Sequence, residues 1–99
     1  MKQKIYTIEE IRQIVTPIAN KYNASSVYLF GSYARGEATA DSDVDLIIDF
    51  KSTVSLFVLA ELISELEDAL DKRVDVISHE SAAPRLMFHI LDEEKLIYA

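Results

Sequence analysis

Two aspartates, Asp43 and Asp45, stand two residues apart where a polar segment gives way to the apolar run 44–50. Alternate residues of a strand leave the same face, so both carboxylates project side by side, about 7 Å apart along the chain. Carboxylates held that close repel and raise each other's pKa unless a cation lies between them. Magnesium, hard and oxygen-seeking, is the natural occupant where phosphates are handled. A bare Asp-x-Asp pair is still an ordinary acidic turn, so its surroundings decide. The spacing of Asp41, Asp43 and Asp45 also copies the opening of a calcium loop. That reading fails, because the sixth position is Leu46 instead of glycine and the twelfth is Ser52 instead of glutamate.

The surroundings add a glycine bend. Gly31 follows the β-rich run 27–30 directly, which permits a sharp turn and close approach of a phosphate to bare backbone. Ser32 offers an N–H and a hydroxyl to the same oxygens. Ten residues separate Ser32 from Asp43, so bend and carboxylates fall at the ends of neighbouring strands.

The elements that must hold them follow from patterning. Thr7 and Glu10 form a capping-box pattern, and Ile8, Ile11, Ile14, Val15, Ile18 and Tyr22 recur at helical spacing, predicting a helix over about 8–22. Pro17 lies inside it and is expected to kink it or shorten its second half. Residues 27–30 read as a strand, 31–43 as a polar loop and 44–50 as a second strand. Ser55 is a plausible N-cap for a helix to Leu70, with Leu56, Leu59, Leu62, Ile63, Leu66 and Leu70 as its apolar stripe. Residues 74–77 read as a third strand. Pro84 suits the first turn of a helix to about Glu94, and 95–98 a short last strand. The sum is an α/β (α+β) domain over residues 1–99: a small mixed sheet with helices packed on it.

With these elements in view, the segment GSYARGEATADSDVDL resembles the signature of the minimal nucleotidyltransferases, the MNT-type branch of the DNA polymerase β-like superfamily. Their pattern is Gly-Ser, ten residues, then Asp-x-Asp, matched here by Gly31, Ser32, Asp43 and Asp45. The resemblance implies a third carboxylate on a following strand. Asp49 has the right face but lies about 13 Å along the strand from Asp45. Asp75, between Val74 and Val76 on an adjacent strand, is the expected third. The resemblance further implies two magnesium ions held by Asp43, Asp45 and Asp75, with Asp75 as base for the acceptor hydroxyl. Gly31 and Ser32 would orient the nucleotide's phosphates, and Arg35 would offset their charge.

Composition narrows the function. The formal charge of −7 argues against direct, nonspecific nucleic-acid binding, which needs a basic surface. It suits a basic protein partner. There are no cysteines, so disulfides and thiolate metal sites are excluded. The first ten residues lack the apolar run of a signal peptide, and the longest apolar stretch, 56–60, is too short to span a membrane. A cytoplasmic location is the expectation. His79 and His89 are far apart in sequence and read as structural or solvated. Phe57 points away from the stripe of its helix, either under the 51–54 loop or into a partner surface. Glu61, Glu65, Glu67, Asp68 and Asp71 read as a solvated acidic face.

With 99 residues, no acceptor-binding domain accompanies the core, so the acceptor surface is expected from another molecule. The resemblance implies an antitoxin that transfers AMP from ATP to a tyrosine of a cognate HEPN ribonuclease toxin, as a hetero-oligomer with it. Two alternatives stand beside this: stoichiometric masking of the partner without catalysis, and transfer to a small molecule.

Overall fold

A computed structural model describes residues 4–80 and 93–99. Helix α1 (Ile8–Lys21) begins at the expected capping box: the Thr7 hydroxyl accepts from the Glu10 N–H at 3.0 Å, and Glu10 accepts from the Thr7 N–H at 2.9 Å. Pro17 does not shorten it. The proline forfeits one backbone bond on the solvent side, while Val15, Ile18 and Ala19 hold that turn against the core.

Strand β1 (Ala24–Phe30) starts three residues before the expected run. Residues 31–43 are not all loop: Gly31–Arg35 forms a short helix, α2, that buries Tyr33 and Ala34. Its polar composition hid it, since five residues show no periodicity. Strand β2 (Val44–Phe50), helix α3 (Leu56–Leu70), strand β3 (Val74–Ile77) and strand β4 (Lys95–Tyr98) follow as expected. Ser55 caps α3, accepting from the Val58 N–H at 3.2 Å. The helix expected from Pro84 lies almost wholly outside the described residues.

The four strands form one mixed sheet in the order β3-β2-β1-β4. β1 runs antiparallel to both β2 and β4, and β2 parallel to β3, with α3 as the crossover. Ile11 and Val15 of α1, Leu62, Leu66 and Leu70 of α3, and Val27, Leu29, Val44, Leu46 and Ile48 of the sheet pack into one core. Leu56 departs from the expected stripe: it is 82% exposed.

Alternation then dictates what the other face carries. With Val44, Leu46 and Ile48 turned into the core, Asp45, Ile47 and Asp49 must project from the opposite side. At the end that matters, the Val44 N–H donates to the Arg73 carbonyl at 2.9 Å and ties β3 to β2, and the Val74 N–H donates to Glu67 Oε2 at 3.1 Å and ties β3 to α3. A carboxylate of α3 thus sets where Asp75 stands.

Candidate active site

The register sets Asp45 directly across from Asp75 on β3 and from Phe30, the last residue of β1. In a parallel pair, residues at the same level present their side chains on the same face, so Asp45 and Asp75 are neighbours. Asp45 is half-buried and Asp75 exposed. Burial pushes the Asp45 carboxyl up to about 6, helped by a hydrogen bond shared with Asp75 and by the charges of Asp75 and Asp43; Arg35 opposes weakly.

Gly31 closes the other side. Its φ is +73°, a left-handed conformation that a side chain would strain. A Cβ there would lie 3.2 Å from Asp45 Cγ and overlap Asp45 Oδ2 outright. The absence of a side chain at Gly31 is therefore what lets the Asp45 carboxylate occupy its position. Ser32 follows, half-buried, with its carbonyl accepting from the Glu37 N–H at 2.9 Å.

Arg35 is exposed and held by two carboxylates, Nε to Glu37 at 2.9 Å and Nη1 to Glu93 at 3.2 Å. Asp49, the rival third carboxylate, is engaged elsewhere. His79 Nδ1 lies 2.5 Å from Asp49 Oδ2, the His79 N–H donates to Asp49 Oδ1 at 3.2 Å, and Ser26 approaches at 3.5 Å. His79 Nε2 meets Glu94 at 2.7 Å, so His79 has the acidic company its sequence context did not reveal. Those partners lie 30 and 15 residues away, beyond any local signal.

The donor set tests whether magnesium fits. Asp43, Asp45 and Asp75 offer hard oxygens of one sign, the kind of donor that magnesium takes. Among the described residues, no three such side chains already converge at chelating distance. Carboxylate oxygens from two adjacent strands fit a divalent cation, which would offset the charge that Asp43 and Asp75 place on Asp45.

A stability measurement probes this crowding. The folded carboxyl pKa lies above the unfolded value of 3.8, so its contribution to stability is full below that value and lost as pH rises to about 6. A rise of that size corresponds to about 3 kcal/mol between protonation states. For a half-buried group, screening reduces it to roughly 1 kcal/mol. The Asp45→Asn variant is therefore expected to be more stable than wild type at pH 7 by roughly 1 kcal/mol, with the gap closing near pH 4. Denaturant titrations at several pH values check it, and equal stabilities throughout would contradict it.

His79 titrates with the opposite consequence. Burial lowers its pKa, but the hydrogen bonds and charges of Asp49 and Glu94 prevail and raise it above 6.5. Its clamp is full below that value and lost as pH climbs past it. The stability gap between wild type and His79→Ala is expected to be on the order of 1 kcal/mol at about pH 6 and to shrink at alkaline pH. A gap that widens with pH would contradict this.

A small mixed sheet that presents paired aspartates beside a glycine bend, with a further aspartate on the adjacent strand, is the frame of a nucleotidyltransferase. The polymerase β nucleotidyltransferase family model matches residues 12–99. A candidate protein adenylyltransferase of Methanocaldococcus jannaschii is 41% identical over 86 residues, covering 87% of this chain and 92% of its own length. The protein adenylyltransferase MntA of Thermococcus cleftensis is 37% identical over 91 residues, covering 88% and 92%. Among solved structures, a toxin–antitoxin crystallised with AMP-PNP superposes with a TM-score of 0.78 at 26% identity, over 89% of this chain and 73% of that one. The chain belongs to the polymerase β nucleotidyltransferase family, and within it to the minimal nucleotidyltransferases that these archaeal adenylyltransferases represent.

Proposed function

We propose that this chain is an antitoxin that transfers AMP from ATP to a tyrosine hydroxyl of a HEPN-type toxin in the presence of magnesium. The observation that carries the reading is the Asp45–Asp75 pair, with Asp45 set against a glycine whose missing side chain makes room for it. The similarity to protein adenylyltransferases and to a toxin–antitoxin that takes an ATP analogue supports the choice of nucleotide and partner.

Asp43, Asp45 and Asp75 would hold the divalent ions, two in number in this reading. When bound, such ions neutralise the triphosphate and lower the pKa of the acceptor hydroxyl. The chain's own residues do the rest. Gly31 and Ser32 present backbone and a hydroxyl to the terminal phosphates. Arg35 exchanges Glu93 for a phosphate oxygen, a stronger charge-assisted partner than an exposed carboxylate. Asp75, the most exposed of the three aspartates, takes the proton of the acceptor hydroxyl. The acceptor oxygen bonds to the α-phosphorus, the bond from that phosphorus to the bridging oxygen breaks, and pyrophosphate leaves.

Incubation with ATP, magnesium and a HEPN-type protein tests the reading by intact mass. The expected result is acceptor carrying whole AMP groups on tyrosine, lost when that tyrosine becomes phenylalanine. Neutralisation of the acceptor by a catalytically dead variant, with no mass gain, would replace transfer by masking. Label appearing only on small molecules would replace both.

A further inference from the structure

Asp43 lies just before β2, at the end of the polar segment that follows α2, and so lacks a strand's ladder to hold it. That segment closes on itself. The Ser42 N–H donates to the Thr39 carbonyl at 3.1 Å, the Thr39 N–H to the Ser42 hydroxyl at 2.8 Å, and the Asp41 N–H to the Thr39 hydroxyl at 3.3 Å. Bonds of this kind give a turn its shape. They do not fix its place, because the whole turn can still pivot about its ends.

A side chain from the far end of α3 supplies the missing tie. Lys72 Nζ donates to the Ala40 carbonyl at 2.7 Å, a half-buried bond between residues 32 apart in sequence. Its cationic donor makes it stronger than a neutral hydrogen bond. The backbone it reaches from is itself held. The Leu70 carbonyl accepts from the Tyr6 hydroxyl at 2.5 Å, the Asp71 N–H donates to the Glu67 carbonyl at 2.8 Å, and the Glu67 side chain takes the Val74 N–H. The next residue, Arg73, accepts the Val44 N–H on its carbonyl. Two consecutive residues, Lys72 and Arg73, thus grip the chain at Ala40 and Val44, on either side of Asp43. The same short segment leads directly into Asp75 on β3.

We infer that Lys72 is a positioning residue for Asp43: by holding the Ala40 carbonyl, it keeps that carboxylate in place beside Asp45 and Asp75 for binding a divalent cation. The inference rests on the reading that these aspartates hold magnesium. The sign of the effect separates positioning from simple electrostatics. On charge alone, removing a lysine near a cation site favours the cation. Removing a group that orients a metal ligand weakens binding.

Lys72→Met keeps the apolar stem and removes the donor, whereas Lys72→Arg keeps a donor. Calorimetry of ATP binding across a magnesium series compares them with wild type. The half-saturating magnesium concentration is expected to rise about tenfold in Lys72→Met, the low end of what such outer partners contribute. In Lys72→Arg it should return to within about threefold of wild type, as arginine also donates but with a different reach. In the metal-free protein, the Ser42 and Val44 amides of Lys72→Met are expected to exchange with solvent faster, while those of Leu62 and Leu66 in α3 keep their protection. Unchanged or tighter magnesium binding in Lys72→Met, an equal loss in Lys72→Arg, or protection lost throughout α3 would each overturn the inference. Asp75→Asn separates the two readings. Magnesium dependence that is lost there and intact in Lys72→Met strikes the role of Lys72 alone, whereas wild type that binds ATP equally without magnesium strikes both.

Discussion

Replacing Asp43 and Asp45 together by asparagine is expected to lower nucleotidyl transfer on the order of 10³-fold while leaving the fold intact. Asp45 stands on the face of β2 turned away from the core, and Asp43 lies just before the strand and outside the core, so the change removes charge without removing packing. Disturbing even the outer partners of a metal ligand costs about 10–100-fold in affinity or activity, and removal of two ligands exceeds that. The loss must fall on catalysis and not on folding, because the charge at Asp45 is itself unfavourable to the folded state above pH 6. A dead yet more stable variant would be the signature of a site that holds like charges together for function. Pyrophosphate release with an acceptor protein, measured beside a melting curve, gives both quantities. Activity within tenfold of wild type would mean that these carboxylates do not carry the chemistry.

Gly31→Ala is expected to have the second largest effect. A methyl group at φ +73° costs about 1 kcal/mol in backbone strain, as L residues avoid that region. The larger consequence is local. The new Cβ would overlap Asp45 Oδ2, and the carboxylate must swing away from Asp75 to relieve it. Displacing a reacting or positioning group by about 1 Å costs roughly 100-fold in rate, so activity should fall by about that much. Gly36, at φ +75°, makes the matched control. A Cβ there meets nothing within 4 Å, so Gly36→Ala should carry the strain without the loss of activity. Equal activity of both variants would show that Gly31 serves the turn alone.

The reasons these effects centre on a few atoms also explain what could be read from the chain. Strand and helix order followed from local pattern: Thr7 and Ser55 cap the helices that periodicity marks, and the 44–50 and 74–77 runs are the strands they read as. The facing of Asp45 needed only alternation. That Asp75 stands across from Asp45 depends on the parallel register of β2 and β3, which no local pattern encodes. The contact of Gly31 with Asp45 is likewise a matter of how β1 pairs with β2. α2 was missed because Gly-Ser-Tyr-Ala-Arg has neither the length nor the spacing of a helix, and it exists because Tyr33 and Ala34 find cover. Leu56 joins the stripe by phase yet is exposed, since phase carries no information on what the rest of the fold covers. His79 acquired Asp49 and Glu94 through tertiary contact alone. The expected helix over 84–94 lies outside the described residues except at its last positions, and Arg35 meets Glu93 there.

The most direct test of the three-carboxylate site needs no acceptor. ATP binding is measured by calorimetry with and without magnesium, for wild type and for Asp75→Asn, whose exposed side chain can be exchanged without disturbing the core. Wild type is expected to bind ATP only with the metal present, and Asp75→Asn to lose at least about tenfold in that metal-dependent affinity. Identical metal-dependent binding by the two proteins would contradict the assignment of Asp75 and with it the convergence of these aspartates on one ion-binding site.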